Sequence, residues 1–252
     1  MSNRHHIEHT IAFSDLAGAK PGEGIEIIGD EAHHAARVKR VRVGDQIRLL
    51  DGQGRIGCGQ VREIVGSRSK PRLIVDLTEI NTYPPITPIV EIWSALPKAD
   101  RLDRMIDQLT QIGVTRFRAL ICDRSQRKPE TVRPEKLTRI ALEACKQCHR
   151  PWSLDIGDPI GFDQAIQDPD ALLADASGEP LAAGRVPERV VVLIGPEGGW
   201  SDAERAKFGA TGRGGIRFGL FVFRIESAAC AISSVMFANT LPIQKLDPSQ
   251  SP

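Results

Sequence analysis

The stretch Val190-Val191-Val192-Leu193-Ile194-Gly195-Pro196-Glu197-Gly198-Gly199-Trp200-Ser201-Asp202-Ala203-Glu204 decides the fold of this chain. Its first five residues form a continuous apolar run rich in β-branched side chains, which is typical of a buried parallel strand. Ser201 and Glu204 have the spacing of a capping box, so a helix is expected to begin directly after the glycine turn. The turn therefore lies at the carboxyl edge of a sheet, where open α/β sheets bind ligands.

A second junction of the same kind follows, with the sequence Ile216-Arg217-Phe218-Gly219-Leu220-Phe221-Val222-Phe223-Arg224-Ile225-Glu226-Ser227-Ala228-Ala229. It is interpreted as a strand, a turn with one glycine, and a helix whose small residues allow close packing. The two turns are predicted to form one site. A glycine turn by itself has two other interpretations, since it can be purely structural or can bind a phosphate or nucleotide.

Taken together, these motifs resemble the knotted methyltransferases that use S-adenosylmethionine, the SPOUT or trefoil-knot superfamily. Within it the chain is most similar to the bacterial family that methylates N3 of a uridine in 16S ribosomal RNA. Matching short motifs occur along most of the chain: Leu96-Pro97-Lys98, the helix ending at Gly113-Val114, Arg124-Ser125 and Gln147-Cys148-His149-Arg150. The resemblance implies a SPOUT-type α/β knot methyltransferase domain preceded by a PUA-like β-barrel domain.

The resemblance also implies roles for residues of the two turns. Arg224 and Glu226 are the expected catalytic residues: Arg224 faces the uracil or its phosphate, and Glu226 positions groups or balances charge near the sulfonium. An exposed ion pair at the start of a helix, worth little energy, is the alternative interpretation. The expected cofactor-binding residues are Leu193, Ile194, Gly195, Glu197, Gly198, Gly199, Phe218, Gly219, Leu220, Val222, Phe223 and Ser227. Gly198 is expected to adopt a positive φ, which side chains tolerate poorly.

Cations are unevenly distributed along the chain, although the formal net charge is only +1. Residues 124–150 carry eight Lys or Arg against three acids, and residues 37–42 carry four cations and no acid. Such local excess suits phosphate contacts, although each run can also be a solvated surface. The candidate RNA contacts are Arg37, Lys39, Arg40, Lys98, Arg124, Arg127 and Arg150.

Strand and helix patterns divide the chain into two domains. Residues 1–80 are predicted to form a PUA-like, RNA-binding β-barrel, with strands at 25–28, 46–50, 59–65 and 72–77 and one helix, Glu31 to Arg37, capped by Asp30. Residues 81–88 are the predicted linker. Residues 89–246 alternate strands and helices, which indicates a parallel sheet carrying catalysis; residues 178–187 are a predicted loop, and 247–252 a disordered tail.

The composition of the chain argues against a membrane protein, a disulfide framework and a zinc site. No apolar stretch reaches the roughly 20 residues of a membrane span, and no signal peptide is recognisable, so a cytoplasmic protein is expected. Five cysteines indicate reduced thiols, and the Cys145-x-x-Cys148-His149 run lacks the second ligand pair of a zinc site, so no metal is expected.

The resemblance leaves alternative functions open, because the chain departs from the family pattern at four positions: Gln111, Leu220, Phe221 and Ser227. It implies S-adenosylmethionine as cofactor, the 16S rRNA of the small ribosomal subunit as partner, and an obligate homodimer. The alternatives are a knotted methyltransferase that acts on a ribose 2′-hydroxyl or on transfer RNA, and an RNA-binding assembly factor without catalysis.

Overall fold

The computed structural model describes residues 9–181 and 187–238 of the chain. The residues expected in the C-terminal tail, 247–252, lie outside them, as do 239–246 of the predicted catalytic domain. The described residues form two compact units. The first consists of residues 9–85 and 145–152, and the second of residues 86–144, 153–181 and 187–238. No helix in the described ranges is long and apolar enough to cross a membrane.

The first unit is built on a five-stranded sheet of order β1-β3-β4-β5-β2. Its elements are β1 (His9–Ala12), a 3-10 turn (Ser14–Ala17), β2 (Gly24–Ile27), α1 (Gly29–Arg37), β3 (Gln46–Leu50), β4 (Arg55–Ser67) and β5 (Lys70–Thr82). β1 runs parallel to β3, and the other neighbours are antiparallel. Alternating inward residues of the strands, together with Ala32 and Ala35 of α1, form its core.

Helix α1 begins earlier than predicted. Its N-cap is Ile28, which makes no side-chain cap hydrogen bond, and Asp30 lies in the first turn. The predicted Asp30 cap was therefore wrong, because Gly29 takes a φ of 68° and turns the chain into the helix one residue before Asp30. A carboxylate in the first turn still interacts favourably with the helix dipole.

The stretch 145–152, which the sequence placed in the catalytic domain, groups with the first unit. The Trp152 indole N–H donates to the carbonyl of Pro84 at 2.8 Å, and the Gly54 N–H donates to that of Pro151 at 2.9 Å. Lys146, which is buried, pairs with Glu31 at 2.8 Å. A side chain at Gly54 would collide with Trp152, since a Cβ there lies 2.4 Å from the indole.

The second unit is a six-stranded sheet of order β11-β9-β10-β6-β7-β8 in which every neighbouring pair is parallel. In chain order its elements are β6 (Ile89–Ser94), α2 (Ala99–Ile112), β7 (Arg116–Ile121), a 3-10 turn (Pro129–Thr131), α3 (Pro134–Cys148), β8 (Asp155–Gly161), α4 (Phe162–Ala165), β9 (Ala171–Pro180), β10 (Arg189–Ile194), α5 (Asp202–Gly209), β11 (Gly215–Arg217) and α6 (Ile225–Ala238). The predicted parallel sheet is confirmed.

Two ends of elements in this unit were predicted from the sequence, the end of α2 and the end of β9. Helix α2 ends at Gly113 in a left-handed conformation with φ 115°, as predicted. The predicted loop from Gly178 was placed too early, because β9 continues to Pro180 by pairing Glu179 with Ile216 of β11. Gly178 allows this pairing, since a Cβ there would lie 2.4 Å from the backbone of Gly215.

Candidate active site

The glycine turn follows β10, which lies between β9 and β6 in the sheet. The Gly199 N–H donates to the Pro196 carbonyl at 2.8 Å, and Gly199, with φ 67°, is the left-handed residue of the turn. The expectation of a positive φ at Gly198 was therefore wrong. A Cβ at Gly198 would meet only the Arg124 side chain, 3.5 Å away, so this glycine keeps an exposed face of the turn bare.

The indole ring of Trp200 packs against the glycine turn. Trp200 is 2% exposed, its indole N–H donates to the Ala174 carbonyl at 2.8 Å, and its ring lies 5.3 Å from that of Phe162. A Cβ on Gly195 would approach the indole to 2.9 Å, so the first residue of the turn rests directly on this ring. Only glycine allows that approach.

The predicted capping box at the start of α5 is confirmed. The Glu204 N–H donates to the Ser201 hydroxyl at 3.1 Å, and the Glu204 carboxylate accepts from the Ser201 N–H at 2.8 Å. This reciprocal pair fixes where the turn ends and the helix begins.

The side chains of Leu193 and Ile194 do not face the site as expected. Both lie in the core of the unit, with 0% and 3% exposure. Because β10 is a central strand covered on both faces, its side chains are buried, and only its backbone leads into the site.

The second turn exposes apolar side chains. Leu220, Phe221 and Val222 are 89%, 83% and 82% exposed, whereas Phe223 turns back and stacks on Phe218 with 5.8 Å between ring centroids. Gly219, with φ 79°, makes this possible, since a Cβ there would lie 2.6 Å from the Phe223 ring. Three consecutive exposed apolar residues are unusual on a protein surface and indicate a surface that a ligand or partner covers.

Glu226 opens α6 and pairs with a cation that the sequence did not reveal. Its Oε1 lies 3.6 Å from Nε of Arg101 on α2, and both side chains are largely buried. Its Oε2 is buried without a hydrogen-bond partner among the described residues. A buried carboxylate oxygen normally has a donor, so this atom has capacity for a donor or positive charge from a ligand.

Arg224 and Ser227 flank Glu226 and are exposed. The Arg224 carbonyl accepts from the Ala228 N–H at 2.8 Å in the first turn of α6. Within residues 9–181 and 187–238, no carboxylate forms an ion pair with the Arg224 guanidinium. Its charge therefore remains available to a substrate.

The thiols near this site are protonated at neutral pH. Burial, reinforced by the carboxylate of Glu204, raises the pKa of Cys122 to about 12. Burial and the nearby Glu226 raise the pKa of Cys230 to about 11, and its thiol donates to Gln108 Oε1 at 3.4 Å. Neither cysteine has the lowered pKa of a catalytic thiolate.

The predicted RNA contacts fall into different environments. Lys98, Arg40 and Arg37 are exposed, and the Arg37 guanidinium donates to the Arg68 carbonyl. The Lys39 ammonium donates to the Thr10 carbonyl at 2.7 Å.

The remaining three are tied to the protein. Arg127 donates to the Pro97 carbonyl at 3.1 Å, and Arg124 donates to carbonyls of the glycine turn. Arg150 is buried, which lowers the pKa of its guanidinium, and its contact with RNA stays a prediction.

Comparison with known sequences identifies both units. A sequence model described as the RNA methyltransferase domain matches residues 85–237, more than half of the chain. The chain belongs to this RNA methyltransferase family. A second model, the RNA methyltransferase PUA domain, matches residues 27–69. The predicted α/β methyltransferase fold with an N-terminal PUA domain is thereby confirmed, while the knot itself stays a prediction.

Curated relatives and solved structures agree with this family. The ribosomal RNA small subunit methyltransferase E of Synechocystis is 29% identical over 79% of this chain and 67% of its own length. The enzyme of the same name from Bacillus subtilis is 29% identical over 85% of this chain and 90% of its own length. A methyltransferase of Legionella pneumophila solved with SAM has a TM-score of 0.79 at 23% identity, covering 92% of this chain and 97% of its own. The Neisseria gonorrhoeae ribosomal RNA small subunit methyltransferase E, bound to S-adenosyl methionine, has a TM-score of 0.80 at 21% identity, with 93% and 98% covered.

Proposed function

We propose that this chain transfers a methyl group from S-adenosylmethionine to N3 of a uridine in the 16S rRNA of the small ribosomal subunit. One observation carries the proposal. The bare glycine turn after β10 and the uncompensated Arg224 beyond β11 lie at the same edge of the parallel sheet, since β10 and β11 both run parallel to β9 between them. The curated relatives named as small subunit methyltransferases support ribosomal RNA as the substrate class.

The residues present fit the cofactor in three respects. The turn at Gly198 has bare backbone, Leu220 and Val222 expose apolar surface for a flat ring, and Glu226 Oε2 is buried without a donor. S-adenosylmethionine supplies, when bound, a methyl group on a positively charged sulfur. A carboxylate held by Arg101 favours positive charge nearby, which is the role we give to Glu226.

Arg224 acts on the nucleobase. The imide proton leaves N3 for bulk water, and N3 of the resulting anion forms a bond to the methyl carbon while the bond from carbon to sulfur breaks and neutral S-adenosylhomocysteine leaves. Negative charge therefore develops on the uracil ring. The exposed guanidinium of Arg224 stabilises that charge in the transition state and so lowers the barrier.

A methyl-transfer assay tests the proposal. The protein is incubated with labelled S-adenosylmethionine and small ribosomal subunits lacking the modification, naked ribosomal RNA or bulk transfer RNA, and labelled nucleosides are identified by mass spectrometry. We expect N3-methyluridine in 16S rRNA. Label on a ribose 2′-oxygen or in transfer RNA would replace the proposed substrate, and cofactor binding without transfer would favour an assembly factor.

We further propose that the active form is a homodimer. The exposed run Leu220 to Val222 supports this, because apolar residues of this size are typical of surfaces that a ligand or second subunit covers. A dimer at micromolar concentration in light scattering is the expected result, and a monomer would contradict it.

The first unit is proposed to dock RNA, with residues 1–80 as the RNA-binding domain, 81–88 as the linker and 89–246 as the catalytic domain. Its β4–β5 turn concentrates cations: Arg68 and Lys70 are exposed, and Arg37 is held there by two hydrogen bonds of 3.1 and 2.9 Å from its guanidinium to the Arg68 carbonyl. No ion pair of the described residues involves these three side chains. On the same strands, Arg62 and Arg72 are neutralised by Asp76 and Glu26 at 2.8 and 2.9 Å.

The double variant Arg68→Ala/Lys70→Ala is expected to weaken RNA binding and to reduce the slope of log K against log salt concentration by about 1.5, the effect of two lost phosphate contacts. The matched control is Arg62→Ala/Arg72→Ala, which removes the same number of cations that are already paired and should change the slope far less. Binding titrations at several salt concentrations measure both. Equal slopes for the two double variants would remove the turn from the RNA interface.

A further inference from the structure

Glu204 is a buried carboxylate with more than a capping role. It is 2% exposed, and both of its oxygens accept hydrogen bonds. Oε2 accepts from the Ser201 N–H at 2.8 Å, which completes the capping box, and Oε1 accepts from the Asp123 N–H at 2.9 Å. The start of α5 is thereby tied to the segment that follows β7. Since a buried charge is costly unless it is satisfied, this carboxylate holds the two segments in one arrangement.

Arg124 follows Asp123 in the chain and connects the segment after β7 to the glycine turn. One nitrogen of its guanidinium, Nη1, donates to the Gly198 carbonyl at 2.9 Å and to the Trp200 carbonyl at 3.1 Å. The aliphatic stem passes beside Gly198, where a Cβ would lie 3.5 Å from the Arg124 Cδ. Both ends of the Gly198–Trp200 segment are thus fastened by one cation.

A second arginine also binds this segment. Arg205 donates to the Trp200 carbonyl at 2.8 Å and pairs with Asp175 at 2.7 Å. In contrast to Arg205, Arg124 forms no ion pair with any carboxylate of the described ranges. Its guanidinium donates instead to two carbonyls of the turn. Hydrogen bonds from a charged donor are stronger than neutral ones, so Arg124 has a large influence on the shape of the turn.

We propose that Arg124 is a positioning residue of the cofactor turn and not a contact for RNA. It holds the carbonyls of Gly198 and Trp200 on one side, so that the exposed backbone of the turn keeps the shape that accepts S-adenosylmethionine. Glu204 and Asp123 form the fixed base from which Arg124 reaches. The inference rests on the proposed function, in which this turn binds the cofactor, and it replaces the substrate role that the cation excess of residues 124–150 suggested for Arg124.

Arg124→Met tests the role most directly, because methionine keeps an apolar stem beside Gly198 and removes only the donors. Affinity for S-adenosylhomocysteine is measured by calorimetry, affinity for ribosomal RNA by titration, and folding by the thermal midpoint, all on the full chain. We expect the Kd for S-adenosylhomocysteine to rise about 10- to 100-fold, as loss of hydrogen bonds from a charged group implies. The Kd for RNA should change less than about threefold.

Two further variants complete the experiment. Arg124→Lys should recover most of the cofactor affinity, because both hydrogen bonds come from a single nitrogen that an ammonium can replace. Lys128→Ala removes an exposed cation of the same segment and should leave the Kd for S-adenosylhomocysteine unchanged. In steady-state assays, Arg124→Met should raise KM for the cofactor much more than KM for RNA.

The outcomes are separable. Unchanged affinity of Arg124→Met for S-adenosylhomocysteine, with weakened RNA binding, would overturn the inference and restore the substrate role. Equal losses in the Met and Lys variants would also overturn it, since then the donated hydrogen bonds are not what matters. A wild-type protein that binds no S-adenosylhomocysteine would instead reject the proposed function itself.

Discussion

Replacing Arg224 with alanine is expected to lower the rate of methyl transfer about 100-fold or more while leaving cofactor affinity nearly unchanged. The guanidinium is exposed and lacks an ion pair within the described ranges, so its removal costs little folding free energy. Its proposed contribution is confined to the transition state, where charge develops on the uracil ring. Loss of an interaction made only in the transition state lowers kcat without weakening cofactor binding.

Single-turnover transfer from labelled S-adenosylmethionine to small ribosomal subunits measures this effect, with calorimetry for cofactor affinity. Arg217→Ala is the matched control, since Arg217 is an exposed arginine in the neighbouring strand β11 and has no proposed catalytic role. Arg224→Lys retains the charge and should recover part of the rate. Turnover of Arg224→Ala equal to that of the wild type would exclude Arg224 from the mechanism.

Local signals in the sequence predicted the parts of the fold that depend on neighbouring residues. The capping box needs only Ser201 and Glu204, three positions apart, and the end of α2 needs only a glycine after an amphipathic run. In contrast, β8 has the sequence Asp155-Ile-Gly-Asp-Pro-Ile-Gly161, which has no strand pattern and becomes a strand only by pairing with β7.

The same distinction applies to the site. The sequence indicated the two turns, because glycines, a proline and small helical residues are local signals. It could not indicate that Arg101 pairs with Glu226, or that Arg124 reaches the carbonyls of Gly198 and Trp200, because these residues are far apart in the chain. It also misplaced the left-handed residue by one position, at Gly198 instead of Gly199, since either glycine is compatible with the turn.

Replacing Trp200 with alanine is expected to destabilise the protein by about 3–5 kcal/mol, the usual cost of removing a buried tryptophan. The loss follows from the contacts of the ring with Gly195 and Phe162 and from its hydrogen bond to Ala174. For a chain of this length the thermal midpoint should fall by roughly 10 °C. Because the turn rests on the indole, affinity for S-adenosylhomocysteine should fall as well.

Trp200→Phe separates the two contributions of this side chain. Phenylalanine keeps an aromatic ring under Gly195 and loses the donation to the Ala174 carbonyl, which costs about 1 kcal/mol. Cofactor affinity of this variant should therefore stay near that of the wild type, while Trp200→Ala loses both stability and affinity. If both variants lost cofactor affinity equally, the hydrogen bond and not the ring would shape the turn. If neither lost it, the turn would hold its shape through Arg124, Arg205 and the capping box alone, and the contact between Gly195 and the indole would serve only to fill the core.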